Sequence, residues 1–278
     1  MHTLRLRDRE FGPGDFAVMA VVNRTPDSFY DQGKTYAFEA ALAAVAQAVR
    51  DGADIVDIGG VKAGPGDDVD AGEEIRRVAD LVAAVRHAHP GLIISVDTWR
   101  AEVGEVVAQA GADLLNDTWG GPDPALAEVA AKHGIGLVCA HAGGVTPRTR
   151  PHRIAYDDVV ADVISHTVGL AERAVRAGVR PDGVLIDPAH DFGKNTWHSL
   201  QVSRRLPEMV ATGWPVLVAV SNKDFVGETL GGLPVDERHA GTLATLAVSA
   251  WQGARVFRVH DPVSAVSALA TISRLRSS

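Results

Sequence analysis

The sequence predicts a parallel α/β barrel of the TIM, or (β/α)8, type in a single domain over residues 1–278, and three observations carry this expectation. Short runs rich in Val, Ile and Leu alternate eight times with Ala-rich amphipathic stretches. Many of those stretches end on a glycine just before the next apolar run. The apolar runs turn polar at their C-terminal ends, which is where a parallel barrel builds its sites.

The strands are expected at Phe16–Asn23, Ala53–Gly59, Leu92–Thr98, Ala112–Asp117, Gly136–Ala142, Gly183–Ala189, Pro215–Asn222 and Val256–Asp261. Each is short and nearly continuous in apolar residues, as a strand covered on both faces must be. The helices that follow them are expected over 37–51, 70–88, 100–110, 124–133, 155–178, 196–211, 236–252 and 262–275. Gly52, Gly111 and Gly253 stand at helix ends, where a left-handed residue stops the helix. Strict alternation leaves an open doubly wound sheet as the alternative; eight repeats favour closure. No Pro-, Ser- or Gly-rich linker divides the chain.

With 278 residues the chain is close to the ~250 of one such barrel. Apolar residues make up 46% and charged residues 22%, enough for a large core and against disorder. A net charge of −8 without a basic run argues against nucleic acid or an anionic membrane as partner. No apolar run reaches the ~18–20 residues of a membrane helix, and the charged Met1–Glu10 segment lacks the apolar core of a secretory signal. The lone cysteine, Cys139, lies in an apolar run and reads as a small buried hydrophobe. A cytoplasmic setting is expected.

The polar strand ends are Asn23, Asp57, Asp97, Asn116-Asp117, His141, Asp187, Ser221-Asn222-Lys223 and, on the last strand, Arg258 and His260. A full circuit of this kind points to a ligand site rather than to a merely wetted rim. Arg258 and His260 are two apart and share a strand face, so two donors aim at one spot, as an anion such as phosphate requires. Asp97, Asn116, Asp187 and Lys223 offer the complement of a flat heterocycle: carboxylates accept from ring N–H and amine groups, and Lys donates to a ring carbonyl.

In order along the chain, Asn23-Arg24-Thr25-Pro26-Asp27-Ser28-Phe29, Asp57-Ile58-Gly59-Gly60, Val96-Asp97-Thr98, Asn116-Asp117, Asp187-Pro188 with Phe192-Gly193-Lys194, and Arg258-Val259-His260-Asp261 stand at these strand ends. Together they resemble the dihydropteroate synthase family over about residues 16–261. That family joins 6-hydroxymethyl-7,8-dihydropterin diphosphate to 4-aminobenzoate in folate biosynthesis and releases diphosphate. The resemblance implies that Asp97, Asn116, Asp187, Lys223 and Phe192 hold the pterin. It implies that Asn23 helps place Mg²⁺, that Asn23, Lys223, Arg258 and His260 serve the reaction, and that the protein is a homodimer. Stabilising a departing diphosphate needs placed cations more than a protein nucleophile, so the lack of an obvious Ser/His/Asp or Cys/His constellation is no objection.

The sequence also departs from the family. Its Gly-Gly-Glu-Ser-Thr-Arg-Pro-Gly loop becomes Gly59-Gly60-Val61-Lys62-Ala63-Gly64-Pro65-Gly66, with Ala63 and Gly64 in place of Thr and Arg. Pro-Gly-x-Gly becomes Pro188-Ala189-His190-Asp191, and Ser-Arg-Lys-Ser becomes Ser221-Asn222-Lys223-Asp224. Each lost transition-state donor costs about 10²–10³ in rate. Weak or absent synthase activity is therefore expected, as in the divergent, inactive second homologue of some actinobacteria. The alternatives are a fully active synthase with a remodelled loop and, less favoured, a pterin-dependent methyltransferase, which would have little use for Arg258 and His260.

Other features have plainer readings. Trp99 and Trp119 are expected to pack near loops, His87, His89, His133 and His152 to lie on the surface, and Asp67, Asp68 and Asp70 to precede a helix, where negative charge suits its dipole.

Overall fold

A computed structural model of the chain describes residues 3–26, 35–149 and 155–277. The barrel strands are β3 (Ala17–Asn23), β4 (Ile55–Gly59), β5 (Ile93–Asp97), β6 (Leu114–Asp117), β7 (Gly136–Ala140), β8 (Val184–Asp187), β9 (Leu217–Val218) and β10 (Val256–Val259). They form one parallel eight-stranded sheet in the order β8-β7-β6-β5-β4-β3-β10-β9. The circuit closes through a single bridge, Ile186 to Val216, with the Ile186 N–H donating to Pro215 O at 3.0 Å. The barrel, not the open sheet, is the fold.

Helices α1 (Phe38–Arg50), α2 (Ala71–Ala88), α3 (Ala101–Ala110), α4 (Ala125–His133), α5 (Val159–Arg176), α6 (Thr196–Arg204), α7 (Leu206–Val210), α8 (Asp224–Thr229), α9 (His239–Trp251) and α10 (Pro262–Ser277) connect the strands. Their apolar stripes meet the outward faces of the strands in one large core that includes Val45, Val82, Val107 and Phe257. Gly52, Gly111 and Gly253 take φ of 88°, 110° and 109°, the left-handed form expected of them. Asp70 caps α2 by accepting from the Glu73 N–H at 2.7 Å, and Asp67 and Asp68 are exposed ahead of it.

A second, smaller core fills the barrel interior, and it includes an element to which the sequence reading assigns no structure. The charged N-terminal segment is a hairpin of β1 (Leu4–Leu6) and β2 (Arg9–Phe11). Its alternate side chains Leu4, Leu6 and Phe11 are buried against Met19, Ile55, Ile93, Leu114 and Val138. Two-residue periodicity hides this apolar face between arginines. The hairpin plugs the end of the barrel from which the strands start. No helix among the described residues is long and apolar enough to cross a membrane.

Elsewhere element bounds shift and one short helix is added. The helix expected over 196–211 breaks into α6 and α7, with Pro207 in the first turn of α7, the position that suits a residue without an N–H. The strand expected at Pro215–Asn222 forms a ladder only over Leu217–Val218, against β10, and adds one isolated bridge toward β8 at Val216. The short helix α8 follows it, unsignalled by any periodic pattern.

Candidate functional site

The carboxyl ends of the strands bring most of the expected residues together. Register sets their depth: Asp57 lies beside Ser95, and one layer further out Asp97 lies beside both Gly59 and Asn116. Asp57 is fully buried. It accepts from Ser95 Oγ at 2.5 Å, from Asn116 Nδ2 at 3.1 Å and from Arg258 Nε at 2.6 Å. Arg258 Nη2 also donates to Asp97 at 3.1 Å, and Thr118 Oγ1 to the other Asp97 oxygen at 2.9 Å. Three strands, β4, β5 and β10, thus meet at one guanidinium, and Asn116 of β6 joins them through Asp57. Burial opposes the charge of Arg258, but Asp57 and Asp97 hold it above its ordinary range. Burial pushes the Asp97 carboxyl up to about 7, against the pull of Arg258 and with a further push from Asp57.

The opposite wall is built by the loop after β8. Asp187 is buried at the end of that strand and accepts from the Ala189 N–H at 2.7 Å; burial raises its pKa against the pull of Lys223. Lys223 precedes α8, lies 4.8 Å from the centre of the Phe192 ring and donates to His190 O. Burial lowers its pKa, while Asp191 and Asp187 oppose the fall. Lys194 binds the loop from beneath, donating to His141 O at 2.8 Å, Phe192 O at 3.0 Å and Ala189 O at 3.2 Å. It also meets His141 Nδ1 at 2.8 Å, which leaves the ring proton on Nε2 to face Asp162 at 2.7 Å. Burial, then the Lys223 charge, bring Lys194 down to about 7, and burial followed by Lys194 presses His141 down to about 4.

Asn23 ends β3 half-buried, beside Gly59 in register. The residues Asp27, Ser28 and Phe29 of the same loop, and His152, lie outside the described residues. His260 stands one residue beyond β10, with Nδ1 3.0 Å from Ser221 Oγ. Arg258 and His260 share a strand face on either side of buried Val259, as their spacing requires. Their immediate partners differ: two carboxylates for Arg258, a hydroxyl for His260.

The loop after β4 has an exposed Ala63 and a buried Gly64. The Gly64 carbonyl accepts from Arg148 Nε at 3.3 Å and the Asp67 carbonyl from Arg148 Nη1 at 2.5 Å, so the loop after β7 reaches across the mouth. Gly60 has no room for a side chain, since a Cβ there would stand 2.8 Å from Val78. The Asn222 side chain is engaged by α9: its Oδ1 accepts from Thr242 Oγ1 at 3.3 Å, while its backbone N–H donates to the same hydroxyl at 3.0 Å. Trp119 is buried edge-on against Phe192, ring centres 5.1 Å apart, and meets Trp99 in the same manner. His87 is exposed, His89 and His133 are half-buried, and Cys139 is buried with its thiol pKa pushed up by that burial.

Sequence reasoning placed Asp57 on the rim without assigning it a role, and the structure makes it the node of the ion pairs. Lys194 and Asp191 were likewise seen only as motif members. The signal available for Asp57 was its place on a strand flanked by others that end in Asp or Asn.

Buried carboxylates and an amide, one guanidinium and the Lys223 amine gather at the carboxyl ends of the strands of an α/β barrel and make this end the candidate ligand site. Residues 19–260 match the family described as pterin binding enzyme. A protein of Mycobacterium leprae named inactive dihydropteroate synthase 2 is 56% identical over 263 residues, covering 93% of this chain and 90% of that one. The dihydropteroate synthase of Bacillus subtilis is 38% identical over 246 residues, covering 88% and 83%. The structure of Yersinia pestis dihydropteroate synthase with a sulfonamide drug complex superposes with a TM-score of 0.92 at 34% identity, covering 99% of each chain. The chain belongs to the dihydropteroate synthase family of pterin-binding proteins.

Proposed function

We propose that the chain binds a reduced pterin at the barrel mouth and that its capacity to condense pterin diphosphate with 4-aminobenzoate is weak or absent. The observation that carries this reading is the contrast between two sides of the mouth. Asp97, Asn116, Asp187 and Lys223 converge from β5, β6, β8 and the start of α8, whereas the loop after β4 presents Ala63 and Gly64. In this reading the carboxylates accept from the ring N–H and amine groups, Asn116 completes the edge, and Lys223 donates to the ring carbonyl above Phe192. Arg258 and His260 face the diphosphate, although Arg258 must then divide its donors between the anion and its own carboxylates.

Asn23 offers one amide oxygen, and among the described residues no group of three His, Cys, Asp or Glu could hold a metal. Such a donor set fits Mg²⁺ carried largely by diphosphate oxygens and water. When bound, the metal would offset charge on the leaving diphosphate; the protein's own part is to orient the pterin and exclude water from its face. Asn23 sits at the right rim for that ligand, and a cytoplasmic setting accords with the reading.

One observation favours the alternative of an active synthase with a remodelled loop. Arg148 brings a guanidinium to the very segment that lacks the family's Arg. Calorimetry with the pterin diphosphate and Mg²⁺, paired with product formation from 4-aminobenzoate, separates the two. Binding without turnover is expected; turnover near that of an ordinary synthase would overturn the inactive half, and no binding of any pterin at millimolar concentration would overturn both. Homodimerisation through the late helices fits the exposure of Val248 and Trp251 on α9 and of Val263 and Leu275 on α10. Light scattering is expected to give twice the chain mass at micromolar concentration.

A further inference from the structure

We propose that Arg24 is a positioning residue for Asn23, clamping both described ends of the loop after β3 to α2. This rests on the proposed role of Asn23 toward Mg²⁺ and the diphosphate. Neighbours on a strand point opposite ways, so Asn23 and Arg24 leave the end of β3 on opposite sides. Asn23 takes the mouth side: a Cβ at Gly59 would stand 3.2 Å from Asn23 Oδ1 and 3.8 Å from the Asp97 Cβ. Arg24 takes the helix side and is half-buried there. Its Nη1 donates to Arg77 O of α2 at 2.6 Å, and its Nε to Tyr36 O at 3.1 Å, where the chain returns toward α1. Arg77 lies within the helix, and its carbonyl has a second lone pair for such a donor. A planar guanidinium fork can hold carbonyls of two elements at once.

The clamp extends to the neighbouring loop. Arg77 Nη1 donates to Gly60 O at 2.9 Å, with its Nε held by Glu73 at 2.8 Å. The Arg24 N–H donates to Gly59 O at 2.7 Å, and Thr35 Oγ1 to Asn23 O at 2.6 Å. Aromatic rings back both guanidinium groups, Phe38 at 5.7 Å from Arg24 and Tyr36 at 5.9 Å from Arg77. The backbone that carries Asn23 is thereby tied on two sides, to the turn after β4 and to α2. These ties use backbone atoms around Asn23 and leave its amide oxygen over Gly59.

The test is a double-mutant cycle read by calorimetry with Mg²⁺ present. Arg24→Met removes the fork and keeps an apolar stem against Phe38, while Asn23→Ala removes the amide. The ligands are 6-hydroxymethyl-7,8-dihydropterin diphosphate and the same pterin without its diphosphate. Arg24→Met is expected to weaken the diphosphate ligand about fivefold and to leave the unphosphorylated pterin within about twofold of wild type. In the Asn23→Ala background it is expected to have no further effect, because residues acting through one another are not additive. An equal loss on both ligands, or a loss undiminished by Asn23→Ala, would overturn the positioning role. Amide exchange without ligand decides the clamp itself: Arg24→Met is expected to speed exchange about tenfold across 35–38 and 59–61. Unchanged exchange in both segments would overturn the clamp. A wild type that binds neither ligand would instead overturn the proposed function, while exchange still decides whether Arg24 holds the loop.

Discussion

Arg258 and Asp57 form an ion pair inside the barrel, Nε to Oδ2 at 2.6 Å, with Asp57 shut off from solvent. Removing one partner of such a pair strands the other charge at a cost of roughly 3–5 kcal/mol. Arg258→Ala is expected to lose about 3 kcal/mol in urea denaturation, since Ser95 and Asn116 still donate to Asp57. A loss below about 1 kcal/mol would show that the guanidinium is there for a ligand alone.

Ala189, buried beside the pocket, adopts φ 47° where the family pattern has glycine. A Cβ in the left-handed region costs about 1–2 kcal/mol, partly returned through the lower entropy of the unfolded chain. Ala189→Gly is therefore expected to gain about 0.5–1 kcal/mol, seen as a small rise in Tm.

The buried ring of His141 predicts a pH dependence of stability. Its pKa falls from 6.5 to about 4 in the folded chain, chiefly through burial. Between those values the unfolded chain binds a proton that the native state does not, so this contribution is present above 6.5 and lost as pH falls to about 4. Asp97 and Asp117, raised to about 7 and about 6 mainly by burial, act in the opposite sense, so the difference between proteins is the clean readout. His141→Gln should show a shallower loss of stability between pH 6.5 and 4 than wild type, by on the order of 2 kcal/mol, in chemical denaturation at several pH values.

Leu6 of the hairpin is buried in the interior core beside the barrel strands. Leu6→Ala is expected to cost about 2–5 kcal/mol and to raise amide exchange in β1 and β2. Unchanged stability would mean that the plug is ornamental to the barrel.

Much of this architecture could be read from the chain because buried parallel strands are compositionally distinct. The runs around Ile55–Gly59 and Ile93–Asp97 are apolar until their last residues, so both the strand and its functional end stand out. The hairpin was hidden by brevity: Leu4 and Leu6 give only two apolar positions between arginines. The run Pro215–Asn222 is as apolar as any other, yet ladder pairing depends on a neighbour at the right distance, which no local pattern encodes. Within the site, strand-end residues such as Asp97, Asn116 and Asp187 follow from register. Lys194 and Asp191 work between loops, and how far a side chain reaches across a mouth is decided by tertiary packing.

The single bridge between Ile186 and Val216 has a consequence for how this family member tolerates change. A cylinder made of hydrogen-bonded staves is weakest at its thinnest joint, and here that joint runs beside Asp187 and leads up to Lys223. Above the bridge the fastening is done by side chains: Lys223 to the His190 carbonyl, and Asp191 to Ser199 and to the Phe225 N–H. Substitutions in the β8 loop therefore act on the clasp of the barrel as well as on its contents. Where the family pattern has two glycines, Ala189 and Asp191 leave the loop fewer backbone conformations, and Asp191 adds two side-chain ties.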